Sequence, residues 1–173
     1  MSEWKMLTLV GQDKPGIVAK VTTALYDLGA QLGEASMMRL GGNFTIMLMV
    51  KSDHSIEQLN QCLESVAKEM QLTTSFQAIE ANLHRHEVPD FRITVYCADR
   101  PGIVAKATSH LLEAGFNIMD LESDVAGSEQ EPIYIMHIEG LAGNGAEALE
   151  KAIDRIKMDG VNVDMTPIDL LIG

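Results

Sequence analysis

Two carboxylates, Asp13 and Asp99, each stand three residues ahead of a glycine, Gly16 and Gly102, at places 86 residues apart. The surrounding segments, Asp13-Lys14-Pro15-Gly16-Ile17-Val18-Ala19-Lys20 and Asp99-Arg100-Pro101-Gly102-Ile103-Val104-Ala105-Lys106, differ only at Lys14 and Arg100. Proline and then glycine ahead of an aliphatic run marks the start of a helix, where the first backbone N–H groups have no partner in the helix and carry positive partial charge. Glycine leaves that backbone open to a small anion. An acid just before it can accept from an ammonium. Donors for a carboxylate beside an acceptor for an amine would suit an α-amino acid. The same residues also make a plain helix-start turn, and the residues alone leave both readings open.

The elements that must position these loops are legible on either side of them. Trp4 to Val10 alternates, with Lys5, Leu7 and Leu9 on one side and Trp4, Met6, Thr8 and Val10 on the other, which predicts a strand. Pro15 suits the first turn of the helix that follows. Ile17, Val18, Val21, Leu25 and Leu28 recur at helical spacing, and Gly29 stands where a helix closes. Gln31–Leu40 and Phe44–Val50 predict two strands joined at Gly41-Gly42-Asn43, a hairpin signal. Ser55 and Gln58 have capping-box spacing ahead of the stripe Ile56, Leu59, Leu63, Val66 and Met70. A last strand is expected over Leu72–Glu80.

The series then recurs: a strand at Phe91–Ala98, a helix from Pro101 to Ala114 closing at Gly115, strands at Asn117–Ala126 and Pro132–Glu139, a helix over Gly145–Met158 and a strand over Val161–Ile168. Thr22 and Thr108, Leu25 and Leu111, Gly29 and Gly115 keep the 86-residue shift. The expected class is therefore α+β, a β-α-β-β-α-β unit used twice. Each unit would be a four-stranded antiparallel sheet with two helices on one face, the ferredoxin-like arrangement. The expected domains are residues 1–82 and 91–173, with 83–90 as a linker marked by Pro89.

Charge narrows the function. The chain's net charge of −12 is uneven: residues 1–86 hold seven basic and nine acidic side chains, and residues 87–173 hold six and sixteen. Phosphate backbones repel such a chain, so direct binding to DNA or RNA is not expected. No apolar run reaches the roughly 20 residues of a membrane helix, and the first residues lack a basic-then-apolar leader, so a cytoplasmic location is expected. Cys62 and Cys97 are expected to be reduced, half-buried thiols. His84-Arg85-His86 is the one close histidine pair, and no Cys, Asp or Glu completes a metal set around it. The glycines of Gly140-Leu141-Ala142-Gly143-Asn144-Gly145 follow an antiparallel strand and lack a nucleotide-binding context. Neither a catalytic set nor a cofactor is expected.

The repeated Asp-x-Pro-Gly-Ile-Val loop in this order of elements, with Gly115-Phe116-Asn117-Ile118 at the head of a second strand, resembles the ACT domain, a small amino-acid-sensing regulatory module. The resemblance covers nearly the whole chain, twice. It implies a ligand held where two units meet, between the loop of one and the second-strand region of its neighbour. Carried over by position, the loop residues are Asp13, Gly16 and Ile17 in the first unit and Asp99, Gly102 and Ile103 in the second. Asn117 matches the ligand-contacting asparagine, and Gln31 takes that place in the first unit, which sets the two sites apart. Two such units and nothing else resemble tandem-ACT regulators of transcription. The implied ligand is a small amino acid, glycine foremost. The implied action is repression of glycine-cleavage genes through a DNA-bound activator, with pairing of two copies into a homodimer. The alternative is a detached regulatory subunit that gives feedback control of an amino-acid metabolic enzyme.

Overall fold

In the computed structural model, residues 3–80, 87–98, 101–128 and 130–168 are described. The chain divides into two compact units, Met1–His84 and Arg85–Gly173. The first contains β1 (Glu3–Gln12), α1 (Ile17–Asp27), β2 (Gln31–Leu40), β3 (Asn43–Ser52), α2 (Ile56–Met70) and β4 (Leu72–Ala78). The second contains β5 (Phe91–Ala98), α3 (Ile103–Glu113), β6 (Phe116–Gly127), β7 (Pro132–Ala142), α4 (Ala146–Met158) and β8 (Asn162–Pro167). Both sheets are antiparallel, in the orders β2-β3-β1-β4 and β6-β7-β5-β8. The first and third strands of each unit are thus central, as in a ferredoxin-like fold.

Alternation decides which face is covered. Leu7 and Leu9 of β1 and Phe44, Ile46, Leu48 and Val50 of β3 are buried against Ile17, Val21 and Leu25 of α1 and Leu59 and Leu63 of α2. Lys5 shares that buried face, its ammonium donating to the Ser52 carbonyl at 3.0 Å. The second core repeats the pattern with Ile93, Val95, Met136 and Ile138 under Ala107, Leu111, Leu149, Ala152, Ile153 and Ile156. Val18 does not join the first stripe and is 42% exposed. Ile17, Val21 and Leu25 follow one another at four-residue steps toward the sheet, and Val18 sits about 100° around from Ile17.

The helix ends are read correctly from the residues with one shift. Gly29 N–H bonds the Tyr26 carbonyl at 2.8 Å and Ala30 N–H the Leu25 carbonyl at 3.0 Å, the reciprocal pair of a Schellman motif with Gly29 at φ +79°. Ser55 and Gln58 form the expected capping box in both directions. Pro15 is not in the first turn: Pro15 and Gly16 form a turn and the helix begins at Ile17, because Gly16 at φ +89° is left-handed and cannot be helical. Asp90, at the end of the expected linker, is bonded into the second sheet through its own N–H to Gly140 and through its carboxylate to the Ala142 N–H. Asp99, Arg100, His84-Arg85-His86 and the first half of the expected linker, residues 83–86, lie outside the described residues. Among the described residues no helix is long and apolar enough to cross a membrane.

Candidate functional site

The loop after β1 is pinned from two sides. Asp13 N–H donates to the Gly42 carbonyl in the β2–β3 turn at 3.0 Å. The Asp13 carboxylate lies 3.0 Å from Arg39 Nε on β2. Lys14 reaches to the end of α2, donating to Gln71 Oε1 at 2.7 Å. The expected acceptor for a ligand's ammonium is therefore already matched by a guanidinium of its own unit. That partner was missed in the sequence; the available signal is that Arg39 is the sole basic residue of β2.

Gly16 and Gly102 repeat each other in three dimensions. They sit at φ +89° and +88°, and each accepts the first helical bond, from Lys20 N–H and Lys106 N–H, both at 3.0 Å. Neither α1 nor α3 has a side-chain cap or an acidic residue in its first turn. The first-turn N–H groups thus keep their capacity for an anion. A Cβ at either glycine would meet nothing within 4 Å. It is backbone conformation, not crowding, that demands glycine here. Ile17 and Ile103 are core residues, 2% and 6% exposed, so what they offer a ligand is a main-chain N–H.

Gln31 and Asn117 are exposed, at the far ends of their sheets from these loops. Gln31 pairs with Lys51, which pairs with Trp4, whereas the loop leaves the sheet at Gln12, opposite Asn43. Eight residues of strand separate the two levels, roughly 26 Å. Asn117 stands opposite Leu141, one step beyond the Phe91–Gly140 pair, while α3's loop follows Ala98 at the opposite end. Neither unit brings its own loop beside its own second-strand residue. Asn117 instead lines a shallow groove with Thr108, Ser109 and Leu112 of α3.

The second unit has a feature that sequence reasoning missed. A cavity of about 160 Å³ lies between the start of α3 and the end of α4, lined by Gly102, Ile103, Lys106, Ile156, Asp159 and Val161 among others. Asp159 is the C-cap of α4, with its carboxylate 3.2 Å from His110 Nε2. The first unit carries different residues at the matching positions. Thr74 and Val163 face the repeat-equivalent residues Leu9 and Val95. Counting back from them sets Met70, which is buried, against Asp159, and Glu69 against Met158. Lys20 pairs with Glu69, and Lys106, its counterpart, has no ion pair among the described residues. The faint sequence signal is that one repeat has Met where the other has Asp.

A ferredoxin-like unit used twice, with a left-handed glycine and an uncapped helix start at the same point of each half, defines a tandem α+β protein. Comparison with known proteins is specific. A match to the ACT domain family covers residues 6–77. The chain is 26% identical over 144 residues to the glycine cleavage system transcriptional repressor of Escherichia coli (strain K12), spanning 83% of this chain and 76% of that one. It is 34% identical over 79 residues to UPF0237 protein YjhC of Lactococcus lactis subsp. lactis (strain IL1403), spanning 46% of this chain and 82% of the relative. The crystal structure of a candidate glycine cleavage system transcriptional repressor superposes with a TM-score of 0.70 over 98% of this chain and 99% of its own, at 17% identity. The first unit, over residues 6–77, belongs to the ACT domain family, and both units have the ferredoxin-like fold.

Proposed function

We propose that this chain is an amino-acid-sensing regulatory protein without catalytic activity, and that it acts as a glycine-responsive negative regulator of glycine-cleavage transcription. The observation that carries the reading is the alignment with the Escherichia coli repressor along most of both chains, across two units of one kind. The acidity of the chain supports action through a DNA-bound activator in place of direct DNA contact. Asp120, Glu122 and Asp124 of β6, whose register sets them on the face opposite Leu121 and Ser123, concentrate that charge on the side of the second sheet away from its helices. The paired helix starts support an anionic group on the ligand. The proposed ligand residues are Asp13, Gly16, Ile17 and Gln31 with Asp99, Gly102, Ile103 and Asn117. Since no unit brings its loop to its own strand residue, a ligand touching both would need a loop and a strand from different units.

A gel-shift assay on glycine-cleavage promoter DNA tests the mode of action. The chain alone is expected to leave the DNA unshifted and to alter the activator–DNA complex in a glycine-dependent way. A shift of naked DNA, or an activator complex indifferent to the chain, would refute the reading. Stoichiometric co-purification with an amino-acid metabolic enzyme would favour the feedback-subunit alternative.

A further inference from the structure

The helices cover one face of each sheet, and the two open faces differ in kind. In the first unit alternation and register define the open face: Met6 lies opposite Met49, Thr8 opposite Met47, and Val10 opposite Thr45, which in turn pairs with Met38 of β2. Val10, Met38, Leu40 and Met47 on this face are 46%, 57%, 72% and 50% exposed. At one end the Trp4 ring lies against Gly33, where a Cβ would come within 2.8 Å of it, and Lys51 Nζ sits 5.8 Å from the ring centroid. Over Trp4–Val10, Thr45–Lys51, Ser36–Leu40 and Thr73–Gln77 no residue of this face is a carboxylate. The chain's net charge is −12, so a broad face without an acid stands out.

The repeat shows that the fold does not require it. Leu7 pairs with Leu48 as Ile93 pairs with Ile138. Counted from these pairs, Met6 matches Arg92, Met49 matches Glu139, Met47 matches His137 and Met38 matches Asp124. On the second sheet Arg92 Nε donates to Glu139 at 2.7 Å, and His137 Nδ1 lies 3.2 Å from Thr94 Oγ1. The same positions therefore carry polar, mutually bonded groups in one unit and thioethers in the other.

Methionine and aromatic side chains are enriched, and acids depleted, at the centres of protein interfaces. Four strands about 4.8 Å apart, with four rows of same-face residues about 6.8 Å apart, make a patch of roughly 500 Å². Two such patches together bury about 1,000 Å², the size at which a specific interface begins. Two copies of so acidic a chain repel each other, and a face without carboxylates is where they approach at least cost. Flexible thioethers let a face pack against its own copy. We propose that the open face of the first unit is a self-association surface, on which two copies of this chain pack sheet against sheet, about 10 Å apart, around a two-fold axis. This goes beyond the sensor reading and does not depend on it.

Sedimentation equilibrium of the full chain without added ligand tests this, at concentrations up to about 100 µM, since an interface near the lower size limit gives a Kd in the micromolar range. A mass of twice the chain is expected. Met38→Asp combined with Met49→Glu installs the acids that the second sheet carries at the matching positions, so the fold is expected to survive, as checked by circular dichroism. The dimer Kd is expected to rise tenfold or more. Met37→Asp is the control: Met37 pairs with the buried Ile46 and so faces the other way, and it is expected to leave Kd within threefold. Peroxide oxidation of the parent chain gives a second readout that needs no substitution. Conversion of Met38 and Met47 to the sulfoxide is expected to slow as the chain dimerises, while Met37 and Met158, 55% and 85% exposed, keep their rates. A dimer that persists with unchanged Kd in the double variant overturns the proposal, as does oxidation of Met38 and Met47 that is indifferent to concentration. A parent chain that stays monomeric throughout overturns a second copy as the occupant.

Discussion

Gly16 and Gly102 are where backbone conformation is most demanding, since both loops depend on a left-handed residue immediately before a helix. Alanine there meets no neighbour, so its whole effect is conformational, about 1–2 kcal/mol of lost stability at each site. Denaturant midpoints of Gly16→Ala and Gly102→Ala check this, and unchanged midpoints would show that the turns relax at no cost. Cys62 offers a second residue-scale test. Burial, aided by Asp27, pushes its thiol above its ordinary value of 9.0, and the thiol donates to the Ala24 carbonyl at 3.4 Å. A raised folded-state pKa favours the native state while the thiol stays protonated, and that contribution is lost as pH rises through the raised value. Alkylation of Cys62 at pH 9 is expected to be slower in the folded chain than in the urea-unfolded one, and equal rates would contradict the shift.

At the scale of elements, α2 is fixed by its start. Ser55→Ala removes one half of a reciprocal cap and is expected to lower stability by about 1 kcal/mol in equilibrium unfolding, with no loss of overall secondary structure. The cap was legible because its determinants are three residues apart, and so were Gly29 and Gly115. The central strands β1 and β3 were legible because burial alternates along them, whereas β2 and β6 are exposed along nearly their whole length. Leu7 and Leu9 face the core between Met6, Thr8 and Val10, as their spacing requires. What local spacing does not encode is contact across the fold. Arg39 meets Asp13 because a hairpin returns β2 alongside the loop. The far-end positions of Gln31 and Asn117 follow from strand register, which no single segment contains. The cavity arises from a difference between two distant helix ends, Met70 in one unit and Asp159 in the other. It becomes visible only when the strands are aligned by what they pair with. Val18 misleads for a simpler reason: it is apolar and helical, yet sits off the buried stripe, 42% exposed.

For the molecule as a whole, each unit has its own core, and among the described residues no buried residue belongs to both. Leu9→Ala and Val95→Ala, at repeat-equivalent positions that are both 0% exposed, are expected to lower stability by about 2–5 and 2–4 kcal/mol respectively. Their effects in the double variant are expected to add within ~0.5 kcal/mol. Strong non-additivity would mean that the cores are energetically coupled. The duplication therefore lets one copy drift while the other stays intact, and the two copies have drifted in charge as well as in packing. In the first unit Met70 is buried at the end of α2 and Lys20 pairs with Glu69. The second unit has a cavity lined by Lys106 and Asp159 among others.

The central claim, that this chain senses a small amino acid, is tested most directly by titrating the purified chain with glycine in a calorimeter, followed by serine and the branched-chain amino acids. Saturable binding of glycine is the predicted result, weakened by Asn117→Ala. Heat of dilution alone for every amino acid would contradict the claim, and would leave the repeated loop as a helix-start turn in a protein-interaction scaffold.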